Sequence, residues 1–567
     1  MKKNAIVFIF FVIILLPAIK PILDNDFYIC YDYRIQIIRG WTMIDNWEHK
    51  NFFAHWSRFI YKGYGSPMFL FYTPLYFYLF AALYYIGIPF FYCFKILNIS
   101  GFVLTAFSMY YYSKKFMPSF AAVIAGLVFT LAPYHFYEVY SSGQFIEFFS
   151  WMLMPPMFYY IYAILKNPVK KNYIILAAIF AIFMLTHHTS IFIFFPILFF
   201  ILISFIFFQR NFITKKSIFT LSIAIITGAL ISAYFWIPCI SEKQFTWFGN
   251  APNHDFNKCF VSAAELFDIV SQPKDILSKN FNLNLPAFFI MFLFIFYSFR
   301  STEKMKNTGF IFLILFFYGF FFSNRISAPV WNNIKFLHYL EFPFRFLFIM
   351  SFASAFLCGL FFSFFRKIRF YQKIIIALII ILFSYAQLYN HIKIFKPEKY
   401  GYTYLPAEFN MSNFNKNKLL EFENFTSEDF IFLPKDFKFK EYDNSKFERI
   451  EFSEKNISEI KDFIEIPDEF NFSVNSKKNN KLFFNLAYFP GWNVYLNGKK
   501  IKFIVSEKGN INVDIPKGNN IIKIKFEDTP IRIFSYAVSI AGVVLFFIAT
   551  LIFIKFEIKE KRIKISD

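Results

Sequence analysis

G-Y-G-S-P-M-F-L-F-Y-T-P-L-Y-F-Y (63–78) is the run on which the fold turns. It opens a stretch, 68–87, that is apolar enough to cross a membrane yet carries Pro74 and many Tyr, with Pro67 just ahead of it. Counted as a crossing, it places five basic clusters outside: Lys114/Lys115, Lys166/Lys170/Lys171, Arg210/Lys215/Lys216, Arg300/Lys304/Lys306 and Arg366/Lys367/Arg369. Laid in the interface as an aromatic helix, it places all five inside, with Lys2, Lys3 and the basic tail from Lys555. Short loops rich in Lys and Arg stay cytoplasmic. The interfacial reading therefore holds.

Working outward, apolar blocks recur near 92–112, 118–135, 147–165, 172–186, 188–208, 216–236, 285–299, 307–323, 343–365, 371–391 and 532–555. Met1 to Leu23 resembles a signal peptide, but A-I-K at 18–20 lacks a small-x-small cleavage pattern, so it reads as an uncleaved first span. At one span per ~20 residues, this makes a polytopic α-helical membrane protein of about 12 transmembrane helices with both termini cytoplasmic. A chain that is 57% hydrophobic and 17% charged fits no single soluble core. The net charge of +21 sits in short inter-span loops, with no basic helix or stacking platform for nucleic acid. The cysteines at 30, 93, 239, 259 and 358 form no C-x-x-C pair for zinc; a Cys239–Cys259 disulfide is the less favoured alternative to free thiols.

This topology gathers the polar loops on one face: 24–91, 136–147, the turn at His187–His188, 237–284, 324–342 and 392–530. The domains are then a membrane domain at 1–395, an extracytoplasmic soluble domain at 396–530, and a final helix with a basic cytoplasmic tail at 531–567. Within the soluble domain, Asn497-Gly498, Gly509-Asn510 and Gly518-Asn519 punctuate alternating runs at 481–489, 501–505 and 520–526. That pattern predicts an antiparallel β-sandwich over 470–530. The fold of 396–470 stays open.

Five motifs then carry a resemblance: the first-loop acid Asp32, G-Y-G-x-P-x-F-x-F-Y-x-P-L (63–75), S-G-Q-F-I-E (142–147), T-H-H-T (186–189) and L-E-F-P-F-R (340–345). From Asp32 to Pro156 the chain resembles bacterial membrane proteins labelled 6-pyruvoyl-tetrahydropterin-synthase-related, and the YfhO-like proteins. Both look like relatives of the GT-C class of glycosyltransferases that use polyprenyl-phosphate sugars. The first label implies no pterin chemistry. Y-F-P-G-W-N-V-Y-L-N-G-K (488–499) is similar to the YfhO-like accessory domain. Two departures stand out: Gln36 where the family commonly has His, and Ser142-Gly143 where it tends to have Arg-Gly.

The resemblance implies attack of an acceptor hydroxyl on the sugar C1 while the lipid phosphate departs. Such a reaction needs a carboxylate to take the hydroxyl proton and cations to steady the phosphate. Asp32 is the implied base, and Gln36, four residues on, shares its face of a helix; an exposed capping Asp is the bland alternative. Glu147 is the second candidate acid, with Glu138 behind it, against a plain helix-start charge stabilised by the dipole. His187 and His188 are candidate phosphate donors, or with Asp32 and Glu147 a divalent-metal site, although adjacent histidines rarely bind one ion. Arg345, beside Glu341, suits bidentate phosphate binding, against a membrane anchor or an ion pair with Glu341. Arg58 and Lys62 are weaker cations of the same kind. Trp56, Tyr64, Tyr72 and Tyr76 can pack on a sugar or prenyl chain, or form an aromatic belt. For Trp492, core packing outweighs glycan binding.

The implied activity is a bacterial cytoplasmic-membrane glycosyltransferase. Its donor would be a polyprenyl-phosphate sugar and its acceptor a cell-envelope glycan, lipid or protein, with no nucleic-acid partner. A non-catalytic assembly factor or lipid-glycan binding protein is the main alternative, and a transporter or flippase the third. Against the third, the spans carry no acidic relay.

Overall fold

A computed structural model of the chain describes residues 2–24, 30–61, 63–187, 189–194, 196, 198–199, 213–250, 255–267, 303–363, 369–393, 431–438, 447–454 and 458–566. Lys62, His188, the block at 285–299 and most of 188–208 and 396–446 lie outside the described residues. The helices Phe90–Ser113, Phe145–Lys166, Pro343–Ser363 and Pro530–Ile552 are each long and apolar enough to cross a membrane. Counting each bent helix pair as one span brings the number among described residues to as many as 8, where the hydropathy reading has about 12.

The bends have local causes. Lys3–Ile14 and Leu16–Leu23 meet at 57°, next to Pro17, which has no N–H to continue the ladder. Ser119–Thr130 and Pro133–Ser142 meet at 48°, with Pro133 opening the second segment. Beyond Phe136 that segment widens into a π-helical turn, Tyr137–Ser142, ended by Gly143 at φ +79°. A side chain at 143 would run into Cys30 Sγ, so only glycine lets the two loops touch there.

Leu347–Ser363 is the hub, with every residue buried. It packs on Ser119–Thr130 so closely that a Cβ on Gly359 would lie 2.8 Å from the Ala121 carbonyl oxygen, a small-residue contact of the kind that brings membrane helices together. The decisive run 68–87 folds as Met68–Phe71 and Leu75–Tyr85. The second piece has 11 residues, about 16 Å of helix, and is too short to span. Lys114/Lys115 and Lys166 follow the ends of their spans, whereas Phe145 and Pro343 begin theirs beside the polar loops.

The tail is a two-sheet β-sandwich. Its strands are β1 (Ile450–Phe452), β2 (Ser458–Ile466), β3 (Glu469–Ser476), β4 (Asn480–Phe484), β5 (Trp492–Leu496), β6 (Lys499–Ile501), β7 (Ile504–Val505), β8 (Ile511–Ile515) and β9 (Gly518–Phe526). All pairings are antiparallel, in the orders β1-β4-β8-β7 and β2-β3-β9-β5-β6. Asn497 and Gly498, at φ 51° and 78°, turn β5 into β6, the geometry a two-residue hairpin needs. Alternate residues Phe470, Phe472 and Val474 face Leu482, Phe484, Val494, Ile522 and Ile524 in the buried core.

This sandwich sits on the first loop. Trp56 is fully buried, its ring 5.1 Å from Trp492 and 5.3 Å from Phe526. Tyr64 packs on Phe437 and Phe447, and its carbonyl accepts from Ala487 N at 3.0 Å. At the foot, buried Arg532 donates from Nε to Glu242 at 2.9 Å and from Nη2 to the Pro490 carbonyl at 2.8 Å. All five cysteines are free thiols.

Candidate active site where three loops meet

The first-loop helix Tyr33–Glu48 begins behind Asp32, which holds the N-cap position without its side chain capping the helix. Asp32 is buried, and its Oδ2 instead accepts from the Gln144 side-chain amide. Three further bonds lock this loop to the second. Tyr31 N donates to Ser141 O at 2.8 Å, Asp32 N to Ser142 O at 3.0 Å, and Gln36 Nε2 to Gly143 O at 2.7 Å. An exposed capping aspartate does not describe this residue. The Gln36 amide nitrogen is spent on a backbone tie, while its Oε1 is buried without a hydrogen-bond partner among the described residues.

Glu147 lies in the first turn of Phe145–Ser150. One carboxylate oxygen accepts from Tyr134 Oη at 2.9 Å; the other faces Arg345 Nε at 3.1 Å and His187 Nε2 at 3.8 Å. His187 is held by hydroxyls, Ser190 Oγ 2.7 Å from Nδ1 and Thr189 Oγ1 2.6 Å from Nε2. Glu138, on the π-helical turn, is buried beside Tyr134 and Glu147, and its Oε2 has no hydrogen-bond partner among the described residues.

Arg345 starts the hub span and also faces Glu341 at 3.3 Å, while Nη1 donates to the Leu340 carbonyl at 2.7 Å. Glu341 takes φ 61° and ψ −51°, and Phe342 N closes back on Leu340 O at 2.6 Å. This is a γ-turn of the strained, positive-φ kind, which concentrates at functional sites and costs about 1–3 kcal/mol.

Segments from three loops thus meet in one sealed charged cluster: Asp32 and Gln36; Glu138, Gln144 and Glu147; Glu341 and Arg345, with His187 behind. Tyr72 joins it from the interfacial run, its phenol within reach of Asp32, Gln36, Arg39 and Arg345. Burial raises the Tyr72 pKa, with Arg39 working against that shift. Arg58 stands outside the cluster. It grips Asp45 through two bonds of 2.7 and 2.9 Å and donates to the Glu465 carbonyl at 3.0 Å, pinning the sandwich to the loop. Of the platform aromatics, Trp56 and Tyr64 belong to that same junction, and Tyr76 donates to Asn98 Oδ1 at 3.0 Å. Among the described residues no group of three or more His, Cys, Asp or Glu is arranged to hold a metal ion.

Gln144 and Tyr134 carry parts of the cluster to which sequence reasoning assigns no role, and Arg39, which it places with Arg58 in the site-like first loop, gets no specific one. Gln144 lies inside S-G-Q-F-I-E, and Arg39 is seven residues after Asp32 on the same helix face, so both had a signal. Tyr134 had none.

The family model described as 6-pyruvoyl-tetrahydropterin synthase related domain, membrane protein, matches residues 69–391. The chain belongs to this family. A second model, for the bacterial membrane protein YfhO, matches residues 395–539. No curated protein matches the chain. The 6-pyruvoyl-tetrahydropterin-synthase-related region holds Glu138, Glu147, His187, Glu341 and Arg345, while Asp32, Gln36 and Arg39 precede it. The YfhO-like region holds the whole sandwich and enters the last helix.

Proposed function

We propose that the chain is a GT-C-like glycosyltransferase working at the extracytoplasmic face of a bacterial cytoplasmic membrane. It would transfer sugar from a polyprenyl-phosphate donor to a cell-envelope glycan, lipid or protein. The observation that carries this reading is the convergence of a buried carboxylate, Asp32, with the Glu147–Arg345 pair, from segments far apart in sequence. The clustering of Lys and Arg at the other ends of the spans supports the orientation.

In this reading the acceptor hydroxyl oxygen bonds to the sugar C1 as the bond from C1 to the phosphate oxygen breaks. The hydroxyl proton goes to Asp32 and the electron pair leaves on the phosphate. The Gln144 amide fixes the orientation of the Asp32 carboxylate. Glu147 holds Arg345 and His187 in place rather than meeting the sugar. The test is sugar transfer from a polyprenyl-phosphate sugar by membranes carrying Asp32→Asn. Turnover is expected to drop by about 10²–10⁴; unchanged turnover removes Asp32 as base.

A second reading, a protein that binds lipid-linked glycan without turnover, draws support from Gln36, an untitratable amide committed to the Gly143 carbonyl. Donor binding without transfer by the unmodified protein would favour it.

A further inference from the structure

The cation assigned to phosphate by resemblance, Arg345, is already engaged by Glu147, Glu341 and the Leu340 carbonyl. A second guanidinium close by has none of these. Arg39 is 7% exposed, and its Nε and Nη1 are sealed without a hydrogen-bond partner among the described residues. Its guanidinium carbon sits 3.6 Å from the centroid of the Tyr72 ring. Stacking serves the face of a guanidinium and leaves its N–H edge unsatisfied. A buried charge in that condition is destabilising and is retained where it meets an anion. Arg39 also lies one turn beyond Gln36 and two beyond Asp32, on the face that looks into the cluster.

We propose that Arg39 is the phosphate-binding residue of this site and that its ligand is the phosphate of a polyprenyl monophosphate or its sugar diester. This rests on the glycosyltransferase reading. A sugar phosphodiester carries one negative charge, matched by a guanidinium that has no carboxylate partner among the described residues. A diphosphate would bring further charge against Glu138, Glu147 and Glu341. The Tyr72 ring covers the face of the guanidinium and lies within reach of Asp32 as well, which leaves the guanidinium edge for a phosphate departing near the base.

The experiment uses the full-length protein in nanodiscs with three probes: polyprenyl monophosphate, polyprenol and inorganic phosphate. The unmodified protein is expected to bind the monophosphate at least about tenfold more tightly than polyprenol, the scale of a charge-assisted contact. Arg39→Gln is expected to erase that preference, and Arg39→Lys to restore part of it. Melting adds a reading without ligand. Removing an uncompensated buried charge leaves the Tm of Arg39→Gln equal or higher, whereas a structural arginine would lower it. A lowered Tm, or a full phosphate preference in Arg39→Gln, overturns the assignment while leaving the glycosyltransferase reading in place. Absence of any phosphate preference in the unmodified protein overturns both. Equal, Arg39-dependent binding of inorganic phosphate overturns the lipid as the source.

Discussion

Arg345 Nε lies 3.1 Å from Glu147 Oε2, a sealed ion pair that joins the hub span to the helix following the second loop. Breaking a buried pair strands the remaining charge, so Arg345→Met and Glu147→Gln are each expected to cost about 3–5 kcal/mol of stability. The double variant should recover part of that loss. Thermal melts of the three proteins in one detergent check it; additive losses would mean the two side chains do not depend on each other.

Arg58 offers the contrast. Its two bonds to Asp45 and its bond to the Glu465 carbonyl place it in the junction between loop and sandwich. Arg58→Ala should therefore lower Tm and expose the sandwich to protease, while polyprenyl monophosphate affinity stays within about twofold, well below the scale of a lost charged contact. A selective loss of affinity at unchanged Tm would return Arg58 to the site.

Glu341→Gly separates strain from charge. Glycine accepts φ 61° without a Cβ clash, which stabilises the turn by roughly 1 kcal/mol, while Arg345 loses one of its two carboxylates. A nearly unchanged Tm with tighter phosphate binding is expected. A large loss of Tm would show that the Glu341–Arg345 pair outweighs the strain.

His55 reports on the foot of the sandwich. It is buried beside Asp528 at 3.6 Å and stacked on Tyr536, and burial together with Arg532 lowers its pKa to about 3 from 6.5. The unfolded chain then binds the extra proton, so His55 contributes stability that is complete above pH 6.5 and lost as pH falls from 6.5 toward 3. Asp528, raised by burial, contributes with the opposite sign, lost as pH rises through its folded pKa. Stability curves of the unmodified protein and His55→Gln isolate the histidine: the variant should lose less stability on acidification to pH 4. Parallel curves would show that His55 is paired in both states.

The legible parts of the fold are those set by local chemistry. Apolar length marks the spans, Asn497-Gly498 marks a hairpin, and the prolines in 63–78 keep that run from forming a full crossing. Asp32, Glu147 and Arg345 stood out because the family-like motifs of the first loop, S-G-Q-F-I-E and L-E-F-P-F-R fall on them. What stayed hidden depends on partners distant in the chain. Glu341, four residues upstream, is in view as a partner for Arg345, but nothing near Arg345 says that Glu147 claims it too, and nothing near Trp56 says that Trp492 covers it. The bend beyond Thr130 is local, at Pro133, but the π-helical turn that buries Glu138 answers to tertiary packing rather than to propensity.

The most direct measurement is an experimental structure of the full-length protein with polyprenyl monophosphate bound. Phosphate density at the Arg39 edge, with open space continuing to Asp32, is the expected result. A headgroup bound at the Lys114/Lys166 end of the spans, or on a surface with no path to Asp32, would contradict the assignment of the three-loop cluster as the site of transfer.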